Sequence, residues 1–168
     1  MTIDEIKKHN EQYYDEDSMN IWKSRELLFI DGVYVPQYIY KGHVDPLDHR
    51  TDIYKHIIKN REVYEGKKFL DIGCCAGINN LLLTKNGFEV VGLDNSIYSL
   101  NASLYTMTLN NLYYKVVLGD HNDIESMDYD ILLVNQMDYI PGFLDALNPI
   151  LRRQKEKGKE AIMMINRI

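Results

Sequence analysis

From Lys67 onward, short apolar runs and longer amphipathic stretches take turns along the chain. The runs at 69–72, 89–93, 114–118, 130–134 and 160–165 are rich in Val, Ile and Leu and lack two-residue alternation. Strands covered on both faces read this way. Between them the spacing predicts helices over 78–86, 96–110 and 150–157, with Asn95 or Ser96 as a cap and Gly87 and Gly158 as terminators. A short helical turn is expected near 123–127, and Pro141-Gly142 and Asn148-Pro149 break the region before the last helix. Strands alternating with helices predict an α/β fold: a doubly wound, mainly parallel sheet with helices on both faces.

The first 65 residues follow another rhythm. Ile3, Ile6, Asn10 and Tyr13 fall near one face of a helix over 2–14, opened by a Thr2/Glu5 capping box. Asp15-Glu16-Asp17 reads as a solvated acidic turn. Leu27-Leu28-Phe29-Ile30, Asp31-Gly32 and Val33-Tyr34-Val35 are a hairpin signal with a two-residue turn. Asp45-Pro46 then opens a helix running to about Tyr64, with Gly66 beyond it. The expected organisation is one domain, residues 1–168, comprising an N-terminal extension (1–65) packed on a core (66–168).

Composition changes this picture little. The net charge of −6 argues against tight, nonspecific nucleic-acid binding by a broad basic face. The basic run from Arg152 to Lys159 reads as a solvated helix end that complements the macrodipole. Cys74 and Cys75 are adjacent, so they cannot staple distant segments, and they lack the companions a zinc site requires. They read as small turn-fillers, and no metal site is expected. No long apolar run suggests a membrane span, and the acidic start Met1-Thr2-Ile3-Asp4-Glu5 does not resemble a signal peptide; a cytoplasmic setting is expected.

Chemistry concentrates in Phe69-Leu70-Asp71-Ile72-Gly73-Cys74-Cys75-Ala76-Gly77-Ile78. A strand, a glycine turn and a helix start aim backbone N–H groups at one point. The Asp71 carboxylate before the first glycine would repel a pyrophosphate, and the Gly-x-Gly-x-x-Gly pattern of nicotinamide-dinucleotide sites is absent. A ligand with an ammonium group, ribose hydroxyls and no phosphate would accept that carboxylate.

Leu70-Asp71-Ile72-Gly73-Cys74-x-x-Gly77 resembles the first motif of class I S-adenosylmethionine-dependent methyltransferases, and Val90-Val91-Gly92-Leu93-Asp94 resembles their second. Asp94 follows the turn by about 20 residues, the spacing at which a carboxylate reaches ribose hydroxyls in Rossmann-type sites. The resemblance covers roughly Lys67 to Ile168 and implies S-adenosyl-L-methionine as cofactor. It implies cofactor contacts from Asp71, Gly73, Cys75 (where many members have glycine), Gly77, Asp94 and Asn95. Asp120 and His121, after the third strand, would lie near adenine, and Asn135, which ends the fourth strand, is a further implied cofactor contact.

The following loop, Asn135-Gln136-Met137-Asp138-Tyr139-Ile140-Pro141, is where the family places acceptor contacts, and Asp138 and Tyr139 are the catalytic candidates. It lacks the Asn/Asp-Pro-Pro-Tyr/Phe pattern of amino-methyltransferases, which disfavours DNA adenine. His43 and His49 flank Asp45-Pro46 and are minor candidates for substrate contact. The expected activity is methyl transfer to a small molecule or a protein, with nucleic acid less favoured. The alternative is a noncatalytic or partner-dependent S-adenosylmethionine-binding scaffold, because the family's antiparallel sixth and seventh strands do not follow the fifth here. The Leu27–Val35 hairpin is expected to lie over the pocket or to pair with the fifth strand; failing that, a homodimer or partner subunit would cover that edge.

Overall fold

The computed structural model describes residues 1–40, 43–44, 50–135, 137 and 140–164. Five parallel strands form the central sheet: β5 (Lys68–Ile72), β6 (Glu89–Asp94), β7 (Lys115–Leu118), β8 (Ile131–Asn135) and β9 (Glu160–Met164). Their order is β7-β6-β5-β8-β9, so the chain reverses direction across the sheet between β6 and β8, on either side of β5. Ligands bind at such a switch point, beyond the carboxyl ends of the strands.

The alternation of side chains along β5 divides the core. Phe69 joins Leu81, Val90, Leu100, Val116 and Leu133 on the face covered by α5 (Ile78–Lys85) and α6 (Ile97–Asn110). Leu70 and Ile72 join Leu132, Val134, Leu147 and Ile150 on the face covered by α7 (Phe143–Glu156) and a 3₁₀ turn, His121–Ser126. Helices therefore cover both faces, as the strand–helix alternation predicts.

The N-terminal elements are α1 (Ile3–Glu11), α2 (Glu16–Lys23), the hairpin β1 (Leu27–Ile30) and β2 (Val33–Pro36), the short pair β3 (Ile39–Tyr40) and β4 (His43–Val44), then α3 (Asp52–Lys59) and α4 (Arg61–Tyr64). The Thr2/Glu5 capping box forms, and Asp31-Gly32 makes the hairpin turn with φ of 48° and 88°. Two expectations need correction. The acidic cluster is solvated, but it opens a helix and is not a turn: Asp15 caps α2 by accepting from the Ser18 N–H, and Glu16 and Asp17 occupy its first turn, where the helix dipole favours anions. That helix buries Met19 and Trp22, whose indole donates to the Tyr98 carbonyl at 2.7 Å. The expected single helix up to Tyr64 is two pieces, because the Asn60 amide bonds back to the His56 carbonyl and competes with helix continuation. Asp45-Pro46, its expected start, lies outside the described residues.

Helix α7 departs from expectation in the other direction, running unbroken through Pro149. An interior proline costs about 3 kcal/mol, and burial of Leu147 and Ile150 on the sheet offsets it. From the basic run, Arg153 forms a bidentate pair with Glu125 of the 3₁₀ turn at 2.6 Å.

Two strand edges are closed by asparagine side chains. Buried Asn10 of α1 donates to the Tyr114 carbonyl and accepts from the Val116 N–H, taking the part of a neighbouring strand along β7, and His9 adds a ring N–H to the Val116 carbonyl. Asn110 of α6 does the same for Tyr34 of β2, bonding both its N–H and its carbonyl. Changing Asn10 to Leu should strand two buried backbone groups and lower stability by about 2–4 kcal/mol; urea unfolding checks it, and a loss below 1 kcal/mol would mean that water replaces the amide.

Hairpin β1–β2 forms a sheet of its own and packs on α6 and α5, which rules out its expected pairing with the fifth strand. Helix α3 packs against β9 instead.

Candidate functional site at the carboxyl ends of the strands

The turn after β5 is held in an unusual backbone state. Gly73, Cys75 and Gly77 have φ of 70°, 44° and 72°. For glycine this region carries no steric cost, whereas Cys75 pays a modest one. The turn is tied to β6: the Gly73 N–H donates to the Leu93 carbonyl at 2.7 Å, and the Cys75 N–H donates to Asp94 at 3.1 Å. From α6, the Ser103 hydroxyl donates to the Cys75 carbonyl. A Cβ on Gly73 would stand 2.6 Å from the Met137 thioether, and one on Gly77 would stand 1.8 Å from the Tyr114 hydroxyl. Conformation calls for glycine at both positions, and close approach to the buried Tyr114 adds to it at Gly77, whereas the flexible Met137 side chain could yield at Gly73.

Asp71, one residue from the end of β5, and Asp94, the last residue of β6, are both buried. Burial, reinforced by the nearby Asp94 charge, pushes the Asp71 carboxyl up to about 7, with the Asn80 amide beside it pulling the other way. Burial also raises Asp94, against the opposing effect of N–H groups from Cys75, Ser96 and Asn95. Ser96, not Asp94, caps α6 by accepting from the Ser99 N–H. Under the turn, the Tyr114 hydroxyl is buried within reach of Ser103 and Asn80 but in good hydrogen-bond geometry with neither.

Two cavities meet at Gly73. The larger, about 310 Å³, runs from Asp94 and Asn95 past Asp120 and His121 to the apolar side chains of Leu93, Ile140 and Phe143. His121 meets the Phe143 ring edge-on at 6.2 Å, and Asp120 caps the 3₁₀ turn by accepting from the Asn122 N–H. The smaller cavity, about 50 Å³, is bounded by Asp71, the turn from Gly73 to Gly77, Asn79 and Asn135, and roofed by Val35, Pro36, Tyr38 and Arg50. The end of the hairpin strand, at Val35 and Pro36, thus borders the smaller cavity, while Asp138, in the loop that the rest of the hairpin is expected to meet, lies outside the described residues. Arg50 is anchored there through its carbonyl, which accepts from Asn79 at 2.6 Å and Asn135 at 3.2 Å.

The structure therefore brings Asp71, Gly73, Cys75, Gly77 and Asn135 around one cavity and Asp94, Asn95, Asp120 and His121 around the other. Asp138, Tyr139 and His49 lie outside the described residues, and His43 falls in β4. Cys74 is a buried turn-filler as expected, but Cys75 is half-exposed and lines the smaller cavity. Arg50 and Tyr38 are additions that sequence reasoning missed, and Met137, from the loop expected to meet the acceptor, lines the larger cavity. Among the described residues, no cluster of His, Cys, Asp and Glu has the makings of a metal site, and no helix is long and apolar enough to cross a membrane. Chemically, the larger cavity suits a flat ring edged by hydroxyls. The smaller one sets a buried carboxyl and a guanidinium around a turn rich in N–H donors.

Curated relatives include the ribosomal protein L11 methyltransferase of Wolinella succinogenes, 30% identical over 100 residues, covering 59% of this chain and 35% of that protein. The ubiquinone biosynthesis O-methyltransferase of Aliivibrio fischeri is 27% identical over 116 residues, covering 67% of this chain and 50% of that one. The chain thus spans a third to a half of the length of these relatives. Among solved structures, the Pyrococcus abyssi tRNA (uracil-54, C5)-methyltransferase in complex with S-adenosyl-L-homocysteine superposes with a TM-score of 0.59 at 20% identity, over 77% of this chain and 32% of that one. The SAM-dependent methyltransferase from Agrobacterium tumefaciens gives 0.55 at 17% identity, over 66% and 39%. The fold is the Rossmann-like fold of class I methyltransferases. The family model for tellurite resistance protein TehB matches residues 43–146, a span that holds the glycine turn, both buried carboxylates and the end of β8, and the chain belongs to that family.

Proposed function

We propose that this chain carries out S-adenosylmethionine-dependent methyl transfer to a small acceptor. The observation that carries the reading is the pair of buried carboxylates, Asp71 and Asp94, beside a turn whose glycines, Gly73 and Gly77, both hold positive φ, with no room for a side chain at Gly77. Burying two like charges is unfavourable unless a ligand compensates them. A cofactor that brings an ammonium and ribose hydroxyls, and no phosphate, compensates both.

The residues fit that group. Asp94 and Asn95 edge the larger cavity where ribose hydroxyls would be held, and Asp120, His121 and Phe143 line the place for adenine. Asp71 would take the ammonium, and Arg50, across the smaller cavity, would take the carboxylate of the same zwitterionic end. When bound, the cofactor supplies an electrophilic methyl group on sulfur. The protein's part is to orient it, exclude water and leave one line of approach. Asp138 or Tyr139 is proposed to hold or remove an acceptor proton; a soft, already ionised acceptor would need no base. The family's name associates it with tellurite, which makes reduced tellurium, selenium and thiol compounds the first acceptors to try.

At about 100 times its dissociation constant, S-adenosylhomocysteine should stabilise the fold by about 2.7 kcal/mol, a melting shift of roughly 5–10 °C. NAD at the same concentration should do little, because its pyrophosphate would meet Asp71. The reverse ranking in a thermal-shift experiment would overturn the cofactor. Methyl transfer from labelled cofactor to a panel of small thiols and chalcogen compounds tests the activity itself; tight cofactor binding without transfer to any acceptor would favour a noncatalytic scaffold.

A further inference from the structure

Given the cofactor reading above, on which this rests, we propose that Asn79 is the positioning residue for Arg50 and thereby makes the site selective for the amino-acid end of its ligand. Asn79 stands in the first turn of α5, two residues past Gly77, and its side chain is buried. Its amide makes two bonds outside its own helix. Nδ2 donates to the Arg50 carbonyl at 2.6 Å, and Oδ1 accepts from the Tyr54 N–H at 3.3 Å. A carbonyl can only accept and an N–H can only donate, so these partners admit one orientation of the amide. Tyr54 lies in the first turn of α3, whose own N-cap, Thr51, makes no side-chain capping bond. Asn79 therefore caps α3 from outside, satisfying an N–H that a capping side chain would otherwise take. The same amide grips the chain at Arg50, just before that helix begins.

The grip matters because of where Arg50 sits. It shares the smaller cavity with Asp71 and the turn, its guanidinium carbon 5.7 Å from the centre of the Tyr38 ring. Tyr38 in turn stacks at 6.2 Å on Trp22 of α2, which is fully buried, so the platform beside the guanidinium is itself fixed. Asn135 adds a second donor to the Arg50 carbonyl at 3.2 Å. A long, flexible cation binds a carboxylate best where its freedom is already restricted. The amino-acid end of S-adenosylmethionine is a zwitterion, and Asp71 can answer only its ammonium. Recognition of its carboxylate thus depends on Arg50, and the place of Arg50 depends on Asn79. A ligand that ends at the thioether, 5′-methylthioadenosine, has no carboxylate for Arg50 to meet and should be indifferent to Asn79.

The test is a double-mutant cycle in the full chain, read by calorimetric titration with S-adenosylhomocysteine and with 5′-methylthioadenosine. Asn79→Ala should weaken S-adenosylhomocysteine about tenfold and leave 5′-methylthioadenosine within about twofold. Arg50→Ala should show the same selectivity at least as strongly, and adding Asn79→Ala to it should weaken binding no further. Equal loss of both ligands would make Asn79 a structural residue and overturn the proposal, as would a fully additive loss in the Arg50→Ala background. If Asn79→Ala does not fold, Asn79→Asp takes its place: the carboxylate still caps α3 but has no N–H for the Arg50 carbonyl. Its charge acts with or without Arg50, so the lost tether is read as a larger loss of S-adenosylhomocysteine affinity when Arg50 is present. Equal losses in the two backgrounds would overturn the proposal. An unmodified chain that binds both ligands equally well would also overturn it while leaving the cofactor reading intact; one that binds neither would overturn the cofactor reading and this proposal together.

Discussion

Replacing Asp71 with Asn should make the free protein more stable above pH 7 and its cofactor binding weaker. The Asp71 carboxyl titrates near 7 in the fold and near 3.9 in an unfolded chain, so between those values the folded state holds a proton that the unfolded state has lost. The stability this group contributes is complete below about pH 4 and is lost as pH rises to about 7; thereafter the fold carries a buried charge costing up to about 4 kcal/mol. Asparagine has nearly the same shape and no charge. At pH 8 the variant should melt higher by several degrees, with the gain vanishing toward pH 4.

The same charge is what the ammonium of the cofactor would meet. Affinity in the unmodified protein should rise up to tenfold per pH unit below 7 and level off above it, and the variant should lose both the slope and about 10–100-fold in affinity, since charge-assisted bonds contribute about 1.5–3 kcal/mol. Calorimetric titration at pH 5.5, 6.5 and 8 checks this. A variant that binds as well as the parent, with the parent's pH slope, would remove Asp71 from the site.

What could be read from the sequence, and what could not, divides along sequence distance. The turn from Asp71 to Gly77 is legible because its chemistry is local: a strand end, an acid and two glycines within a few residues dictate a backbone that presents N–H groups at a sheet edge. Asp94 is legible because a single βα unit sets its spacing. Arg50 is not, because what seats it over the turn is a pair of hydrogen bonds from Asn79 and Asn135, 29 and 85 residues away. Asn10 looked like one more position on an amphipathic face; its work along β7 depends on Tyr114 and Val116, which the fold alone delivers. Asp15 could have been found, since an acid three residues before a serine, ahead of Met19 and Trp22, is a helix start, and the acidic run concealed it. Pro149 misled for the opposite reason, because local propensity pointed to a break and the burial of its neighbours overrode it.

Gly77→Ala should be among the most damaging single-methyl changes in the protein, and a second change should recover part of the loss. Gly77 has φ of 72° and serves as the N-cap of α5, a conformation that costs a residue with a Cβ about 1–2 kcal/mol. The new methyl would also stand 1.8 Å from the buried Tyr114 hydroxyl and 2.9 Å from the ring carbon that bears it. Tyr114 has nowhere to retreat, since its backbone carbonyl is held by Asn10 and its N–H lies against the Met107 sulfur. The turn must move instead, taking the Cys75 N–H away from Asp94 and disordering the floor of both cavities. The expected outcome is a loss of more than 3 kcal/mol in urea unfolding, with cofactor binding weakened beyond detection. Tyr114→Phe alone removes a buried hydroxyl that has no well-formed hydrogen bond, and should be neutral or slightly stabilising. In the double variant the worst contact is gone while the backbone strain and the closer approach of the ring remain, so stability should return by about half. If Tyr114→Phe is as damaging as Gly77→Ala, the hydroxyl holds the turn through bonds to Ser103 and Asn80, and the floor of the site is a hydrogen-bonded network, not a contact surface.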